Sequence, residues 1–438
     1  MWARIHPLYT IDGFAATMLA IGRITGLVGL VMYALNLIFS TRLRFLEYLF
    51  GGLNRVYIAH HLLGGLALIF LSLHPFFLAL RYVHLSLKQA ALVLLPNGLL
   101  PLDALFNAQH VYHGVVLEQW AIFFGIIAFW GMVGLLLVTF FVKLPYRIWL
   151  FTHKFLGPAF FIAGLHVLFI SSDTSINAPM KYYILAITAL GIAAFIYKTI
   201  LGNIFIRRHK YLVSNVQTFE GDVVQVSLEP TDLARPMAYK PGQFVYIKFT
   251  SDAGGGVKSE WHPFSISSHA KSDQLQLTVK GLGDYTKTLH QLKTGTIAEV
   301  EGAYGRFSYK NFKNQNQVWI AGGIGITPFL SMALSLSPDD DYHIDLYYSV
   351  KTRSELIDFQ KLANASFIRH GKFGVYAFIG DEENGYLGID FIKQHSGDLA
   401  GKDFFICGPP PMMQSLRGQL KAEGVPGARI HSEEFAMS

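Results

Sequence analysis

Residues 56–82 read VYIAHHLLGGLALIFLSLHPFFLALRY, and residues 149–171 read WLFTHKFLGPAFFIAGLHVLFIS. Each is an apolar run longer than the about 20 residues needed to cross a bilayer, and each carries histidines inside it. His60 and His74 stand fourteen residues apart, about 21 Å of helix rise, and fourteen steps of about 100° return nearly to one face. His153 and His166 stand thirteen apart, about 20 Å on the same rise. Two such helices offer two His–His pairs at two depths, His60 with His153 and His74 with His166. Thirteen steps leave His166 about 140° off the face of His153 on an ideal helix. Gly157-Pro158 between them predicts the kink that corrects this register.

Ionisable side chains within spans are costly and default to function. A single membrane histidine reads equally as an interhelical hydrogen bonder or a proton relay. Four at matched depths suit two six-coordinate b-type haems, because neutral imidazole is a normal axial ligand. The metal ligands are then His60, His74, His153 and His166. His61 is also thirteen residues from His74, so His60 and His61 both stay open as the ligand. Gly64 and Gly65 lie one turn beyond, where small residues admit a flat macrocycle.

Working outward, three further apolar stretches, at about 14–39, 116–142 and 182–201, bring the spans to five. The first is too long for a signal-peptide core and reads as a retained span. Positive charge gathers in the 40–55 loop (Arg42, Arg44, Arg55), in the 143–148 loop (Lys143, Arg147) and after 202 (Arg207, Arg208, Lys210). These segments are therefore expected in the cytoplasm, with the N-terminus outside. An odd span count leaves room for an upstream sixth helix. The 83–115 segment is expected outside, resting on the membrane or capping the bundle, with Arg81, His84, Lys88, His110 and His113 on the outer face.

The chain of 438 residues is 52% hydrophobic and 15% charged, greasier than an ordinary soluble protein. Residues 1–210 hold 15 Lys+Arg against 5 Asp+Glu, and residues 211–438 hold 21 against 25. A cationic apolar half ahead of a slightly acidic one excludes a nucleic-acid binder, whose basic residues gather on one soluble face. Cys407 is the single cysteine, which excludes internal disulfides and cysteine-ligated metal clusters.

Past residue 211 the pattern becomes short alternating strands such as VVQVSL at 223–228, expected to form a small antiparallel barrel over 211–312. From 313 strands alternate with helices: strands at 318–321, 343–349, 375–379 and 403–407, helices at 327–336, 354–364 and 410–422. That alternation predicts a doubly wound α/β sheet over 313–438. The three domains expected are thus a membrane bundle (1–210), a β-barrel and an α/β nucleotide-binding domain.

Four motifs follow in order: HPFSISS at 262–268, GDYT at 283–286, AGGIGITP at 321–328 and CGPPPM at 407–412. They resemble those of the ferredoxin–NADP reductase superfamily. Joined to the bis-histidine bundle, nearly the whole chain resembles the NADPH oxidase and ferric reductase family.

The resemblance implies an FAD site at His262, Pro263, Phe264, Ser265 and Ile266, with Phe264 on the isoalloxazine, the Ser265 hydroxyl at its N5 edge and His262 by the pyrophosphate. Histidine stands at 262 where soluble members commonly carry arginine, so a fixed charge is lost. Gly283, Tyr285 and Thr286 would serve the FAD phosphates. The family's Gly-Pro-Tyr-Gly is here Gly302-Ala303-Tyr304-Gly305, expected to form a slightly looser turn.

Gly322, Gly323 and Gly325 would admit the nicotinamide dinucleotide ahead of a helix opened by Thr327-Pro328. Cys407, with Gly408 and Pro409, would lie beside the nicotinamide C4, although a lone cysteine is more often a core residue. Lys351 and Arg353 would hold a 2′-phosphate, favouring NADPH over NADH; the other reading is a solvated turn. Phe435 would cover the flavin and swing aside for the nicotinamide.

The catalytic set implied is Cys407, Ser265 and Phe435. The expected activity is transfer of electrons from cytoplasmic NAD(P)H through FAD and two haems to a small acceptor outside, oxygen (giving superoxide) or ferric iron. A bacterial inner membrane fits the whole. The alternatives are an electron donor anchored to serve a partner protein, and a transporter with a histidine proton relay.

Overall fold

A computed structural model describes residues 13–95, 113–232, 237–250, 256–369 and 371–433. Phe435 and His110 lie outside the described residues, as do residues 96–112 of the expected surface segment and the side chain of His113. The chain divides into two compact units, Met1–Leu46 with Arg55–Phe205, and Glu47–Asn54 with Ile206–Ser438.

Among the described residues of the first unit, five helical stretches are long and apolar enough to cross a membrane: Phe14–Phe39, Leu53–Leu80, Trp120–Phe141, Tyr146–Phe169 and Ala178–Ile200. The helices that make up these stretches are α1 (Phe14–Phe39), α2 (Leu53–Leu80), α3 (His113–Phe141), α4 (Tyr146–Lys154), α5 (Leu156–Phe169) and α6 (Ala178–Phe195), with shorter helices between them. Lipid offers no hydrophobic drive between helices, so close approach at small residues has to hold the bundle. A Cβ on Gly29 would meet Leu71 at 2.7 Å, and one on Gly191 would meet Phe160 at 2.9 Å and the Ala34 backbone at 3.1 Å. Around these contacts Leu30, Tyr33, Leu136, Leu156 and Ile184 form the core.

The fourth span is divided at Phe155, three residues before the proline expected to kink it. Pro158 has no N–H to offer the Lys154 carbonyl, so the ladder opens one turn upstream of the proline. Beside the break the Tyr33 hydroxyl donates to the Leu156 carbonyl at 2.6 Å.

The second unit holds two sheets. Strands β1 (Arg208–Phe219), β2 (Val223–Pro230), β3 (Phe244–Phe249), β4 (His262–Ser265), β5 (Leu275–Lys280) and β6 (Ile297–Tyr304) run β4-β3-β6-β1-β2-β5, with antiparallel neighbours throughout. Ile266, just past β4, bridges Leu277 on β5 and curls the two edges together. Val226, Leu228, Val245, Ile247, Leu277 and Val300 fill the interior, as alternation along half-buried strands requires.

Strands β7 (Asn316–Gly322), β8 (His343–Val350), β9 (Phe373–Ile379), β10 (Asp403–Cys407) and β11 (Ile430–Glu433) form a parallel sheet ordered β11-β10-β7-β8-β9. The chain builds one way from β7 and then returns to its other side, so the switch point lies between β7 and β10. The helix expected at 354–364 begins later, at Phe359, because a 3-10 turn at Arg353–Glu355 and a left-handed Asp358 (φ 53°) occupy its first residues. The helix Ile389–Ser396 and strand β11 have no counterpart in the sequence reading.

Candidate functional site

The membrane unit brings together the two histidine pairs that the spacing points to. The rings of His60 and His153 have centres 6.3 Å apart with planes at 67°, and those of His74 and His166 repeat the same separation and angle. Two imidazoles bonded through Nε2 at about 2 Å to opposite sides of one metal ion put their ring centres roughly 6 Å apart. His61 is exposed, and it is His60 that faces His153.

Three of the four rings are oriented by main-chain carbonyls on a neighbouring helix. His60 Nδ1 donates to Asn36 O at 3.0 Å, His74 Nδ1 to Gly22 O at 2.7 Å and His166 Nδ1 to Ala121 O at 2.7 Å. A carbonyl only accepts, so the proton sits on Nδ1 and the Nε2 lone pair is left for a metal. The Asn36 amide in turn donates to the His60 carbonyl at 2.5 Å.

Glycines make room for these rings. A Cβ on Gly26 would lie 2.6 Å from His74 Nδ1, and one on Gly125 would lie 2.7 Å from His166 Nδ1. Of the two glycines singled out near His60, Gly64 would meet the Asn36 amide at 2.9 Å, whereas Gly65 faces open space. Asn36, Gly22, Gly26, Ala121 and Gly125 were not singled out in the sequence. A glycine one helical turn from an acceptor carbonyl is no signal until the facing helix is known.

In the second unit β3 and β4 pair so that Tyr246 faces Pro263, Val245 faces Phe264 and Phe244 faces Ser265. Phe264 is half-buried against the barrel core and Ser265 is buried at the strand end. His262 stacks on Tyr285, ring centres 3.6 Å apart. Burial holds His262 below the ordinary imidazole range against the opposing pull of Glu260, whose Oε2 lies 3.5 Å from Nε2. It is therefore mainly neutral at pH 7, unlike an arginine at this place.

The Tyr285 hydroxyl is buried without a hydrogen-bond partner among the described residues, an orphan that an oxygen of a bound cofactor would satisfy. Thr286 Oγ1, by contrast, accepts from Gly283 N at 2.9 Å and donates to Gly283 O at 3.1 Å. These two groups close the turn on itself, where the sequence reading assigned them to the phosphates.

At the switch point the glycine loop packs on the end of β10. A Cβ on Gly325 would strike the Cys407 carbonyl oxygen and lie 2.8 Å from Gly408 N; one on Gly322 would strike Met412 and lie 2.9 Å from Pro409. Gly323 alone of the three faces open space, at φ 52°, and leaves the backbone approachable by a dinucleotide. Thr327 is buried with Oγ1 donating to Ile324 O at 3.1 Å, and Pro328 is buried in the first turn of α7 (Thr327–Leu334).

Cys407 is fully buried, and burial pushes its thiol well above the ordinary range, so it is no thiolate. Arg353 is engaged in a two-armed pair with Glu382, at 2.9 and 2.8 Å, while the Lys351 main-chain N–H donates to Glu355.

Glu433 was also missed in the sequence. It stands beside Cys407 in register on β11, and burial, then the negative charge of Glu47, pushes it up to about 8. Between its ordinary value of 4.5 and about 8 the folded chain holds a proton that the unfolded chain has lost. Stability is therefore greatest below that window and falls as pH rises through it. Thermal melts across the window are expected to decline with pH in the wild type, and this slope is expected to flatten in Glu433→Gln.

Residues 25–164 match the ferric reductase like transmembrane component, residues 208–325 an FAD-binding domain and residues 319–418 an oxidoreductase NAD-binding domain. A flavohemoprotein of Xylella fastidiosa (strain Temecula1) is 26% identical over 240 residues, covering 53% of this chain and 59% of its own length. The reductase component DmpP of phenol 2-monooxygenase from Pseudomonas sp. (strain CF600) is 30% identical over 227 residues, 47% of this chain and 62% of that one. The chain thus spans about three-fifths of the length of these relatives. Flavohemoglobin from Malassezia yamatoensis, at 17% identity and a TM-score of 0.51 over 97% of this chain and 100% of its own, shares the fold alone.

These matches give the chain a ferric-reductase-like transmembrane component, an FAD-binding domain and an oxidoreductase NAD-binding domain, and five of its described helical stretches are long and apolar enough to cross a membrane. Its domain order is that of the ferric reductase/NADPH oxidase architecture.

Proposed function

We propose that this protein carries electrons across a membrane, from NADPH on the cytoplasmic side, through FAD and two b-type haems, to oxygen or ferric iron on the far side. A bacterial cytoplasmic membrane is the proposed location, since the Arg- and Lys-rich segments before α2, after α3 and after α6 belong inside. The observation that carries the reading is the pair of histidine couples with equal 6.3 Å separation at two levels of one bundle.

When bound, FAD takes a hydride from the nicotinamide and releases its electrons singly, and haem iron carries them one at a time. The protein's part is to hold and orient. The Asn36, Gly22 and Ala121 carbonyls keep the Nδ1 protons of His60, His74 and His166 and leave each Nε2 free to bind iron. Tyr285, stacked on His262, presents its orphaned hydroxyl to the flavin phosphates or ribose. Phe264 and Ser265, at the end of β4, would hold the flavin ring. Gly323 admits the dinucleotide beside a neutral, buried Cys407 that offers no competing nucleophile.

The test is to purify the chain in detergent and measure haem as the pyridine complex. Two haems per chain, both reduced anaerobically by NADPH, are expected; absence of haem overturns the reading. Reoxidation by air and by ferric citrate then ranks the acceptors. Negligible turnover on both, with a co-purifying redox protein, replaces the small acceptor by a partner.

The Arg353–Glu382 pair competes with a 2′-phosphate for the guanidinium. Glu382→Gln is therefore expected to lower KM for NADPH several-fold and leave KM for NADH in place, as steady-state kinetics with both donors would show.

A further inference from the structure

The four histidines are alike in spacing and unlike in their outer contacts. His60, His74 and His166 each donate Nδ1–H to a main-chain carbonyl of an adjacent helix. His153 Nδ1 is buried and has no hydrogen-bond partner. Its ring instead stacks on Trp149, one turn back on α4, with centres 5.0 Å apart and planes at 13°.

The break at Phe155 accounts for the difference. Helix α5 lies against α3, where Gly125 lets His166 reach the Ala121 carbonyl. His153 belongs to α4, beyond the break, and at the opposite end of α3 both Gly131 and Gly134 face open space. No carbonyl of α3 takes the place that Ala121 has at the other level.

A carbonyl acceptor on the far nitrogen of a metal-bound imidazole draws the proton outward and makes the ligand a stronger donor, which favours the more oxidised metal. The His74/His166 pair has two such acceptors and the His60/His153 pair has one. We propose that, in the bis-histidine arrangement argued above, the haem between His60 and His153 has the higher reduction potential. A single electron in the bundle therefore rests there, and the His74/His166 site fills once the first is occupied. Net flow to the far side is then pulled by oxidation at the acceptor. This inference rests on the proposed function and adds the ordering of the two sites.

The experiment is an optical redox titration of the holoprotein and of single-site variants. The wild type is expected to show two one-electron waves, with the equilibrium between sites favouring the His60/His153 haem by about tenfold, or about 59 mV. The wave remaining in His74→Ala should coincide with the upper one, and that remaining in His153→Ala with the lower. Gly125→Ala puts a methyl group 2.7 Å from His166 Nδ1 and so displaces the ring from its carbonyl. It should raise the lower wave and leave the upper in place. Should Gly125→Ala lose its haem, the two single-haem proteins still decide the order. Equal or reversed potentials overturn the ordering alone. A preparation with no haem overturns the proposed function and the ordering with it.

Discussion

On the proposed function, His74→Ala is expected to remove one of two haems and to stop delivery of electrons to the far side, while hydride transfer to the flavin continues. His74 is held by the Gly22 carbonyl and faces His166, so its loss leaves one imidazole where six-coordinate iron needs two. The His60/His153 pair lies fourteen residues away along α2, about 21 Å of helix rise, and keeps its own site. Without the second carrier an electron must cross that distance in one step. Acceptor reduction should fall by at least about two orders of magnitude, with anaerobic reduction of the flavin and the remaining haem by NADPH preserved. A variant that keeps wild-type acceptor turnover would show that this pair does not lie on the path. With the Arg-rich 40–55 segment on the cytoplasmic side as proposed, the His60 end of α2 is the entry side, and His60→Ala should stop reduction of both sites by NADPH.

Gly325→Ala is expected to have the largest effect in the reductase unit. The added methyl strikes the Cys407 carbonyl oxygen and would lie 2.6 Å from the carbonyl carbon and 2.8 Å from Gly408 N. All three are backbone atoms at the end of a buried strand, so neither side can yield without opening the switch point. Overpacking of this kind costs about 1–3 kcal/mol, and a displacement of about 1 Å at a reacting centre costs up to about a hundredfold in rate. Hydride transfer from NADPH should therefore collapse while FAD is retained, since the flavin contacts proposed above, at Phe264, Ser265 and Tyr285, lie in the antiparallel sheet domain. Stopped-flow flavin reduction and flavin content measured on the same preparation check both halves. Gly323→Ala tests the other role: its methyl meets no protein atom within 4 Å, so beyond the strain of a left-handed φ of 52°, about 1–2 kcal/mol, it should leave the packing on β10 intact and act on the approach of the dinucleotide, read as a raised KM for NADPH. Equal loss of flavin reduction at saturating NADPH from both variants would argue that access for the dinucleotide, rather than close packing on Cys407, is what this loop supplies.

Much of the fold was legible before any coordinate. The apolar runs predicted five spans at nearly their observed limits, because the length of an apolar helix is fixed by bilayer thickness and needs no tertiary information. Strand β10 and the 410–422 helix matched residue for residue, since a fully apolar FFIC run and a proline-opened helix leave little choice. The 354–364 helix slipped downstream because Asp358 adopts a left-handed conformation that no local pattern announced. Strand β11 was missed because IHSE is too polar to read as a strand; pairing with β10 makes it one.

The sequence by itself determined the elements whose chemistry is local: helices long enough for lipid, histidines at two depths, and the strand-to-helix turns rich in glycine. It also carried the order of the domains. The spacing already pairs His60 with His153 and His74 with His166; only the tertiary structure decided that His60 rather than His61 is turned inward and that the fourth span opens at Phe155. It alone showed that three imidazoles are tethered to carbonyls and one is not, and that Gly322 and Gly325 serve packing where Gly323 is left open. The reason is physical. A helix sets the spacing of its own side chains, but a main-chain carbonyl or the space beside a glycine belongs to a neighbouring segment, and the approach of two segments is settled by everything packed around them.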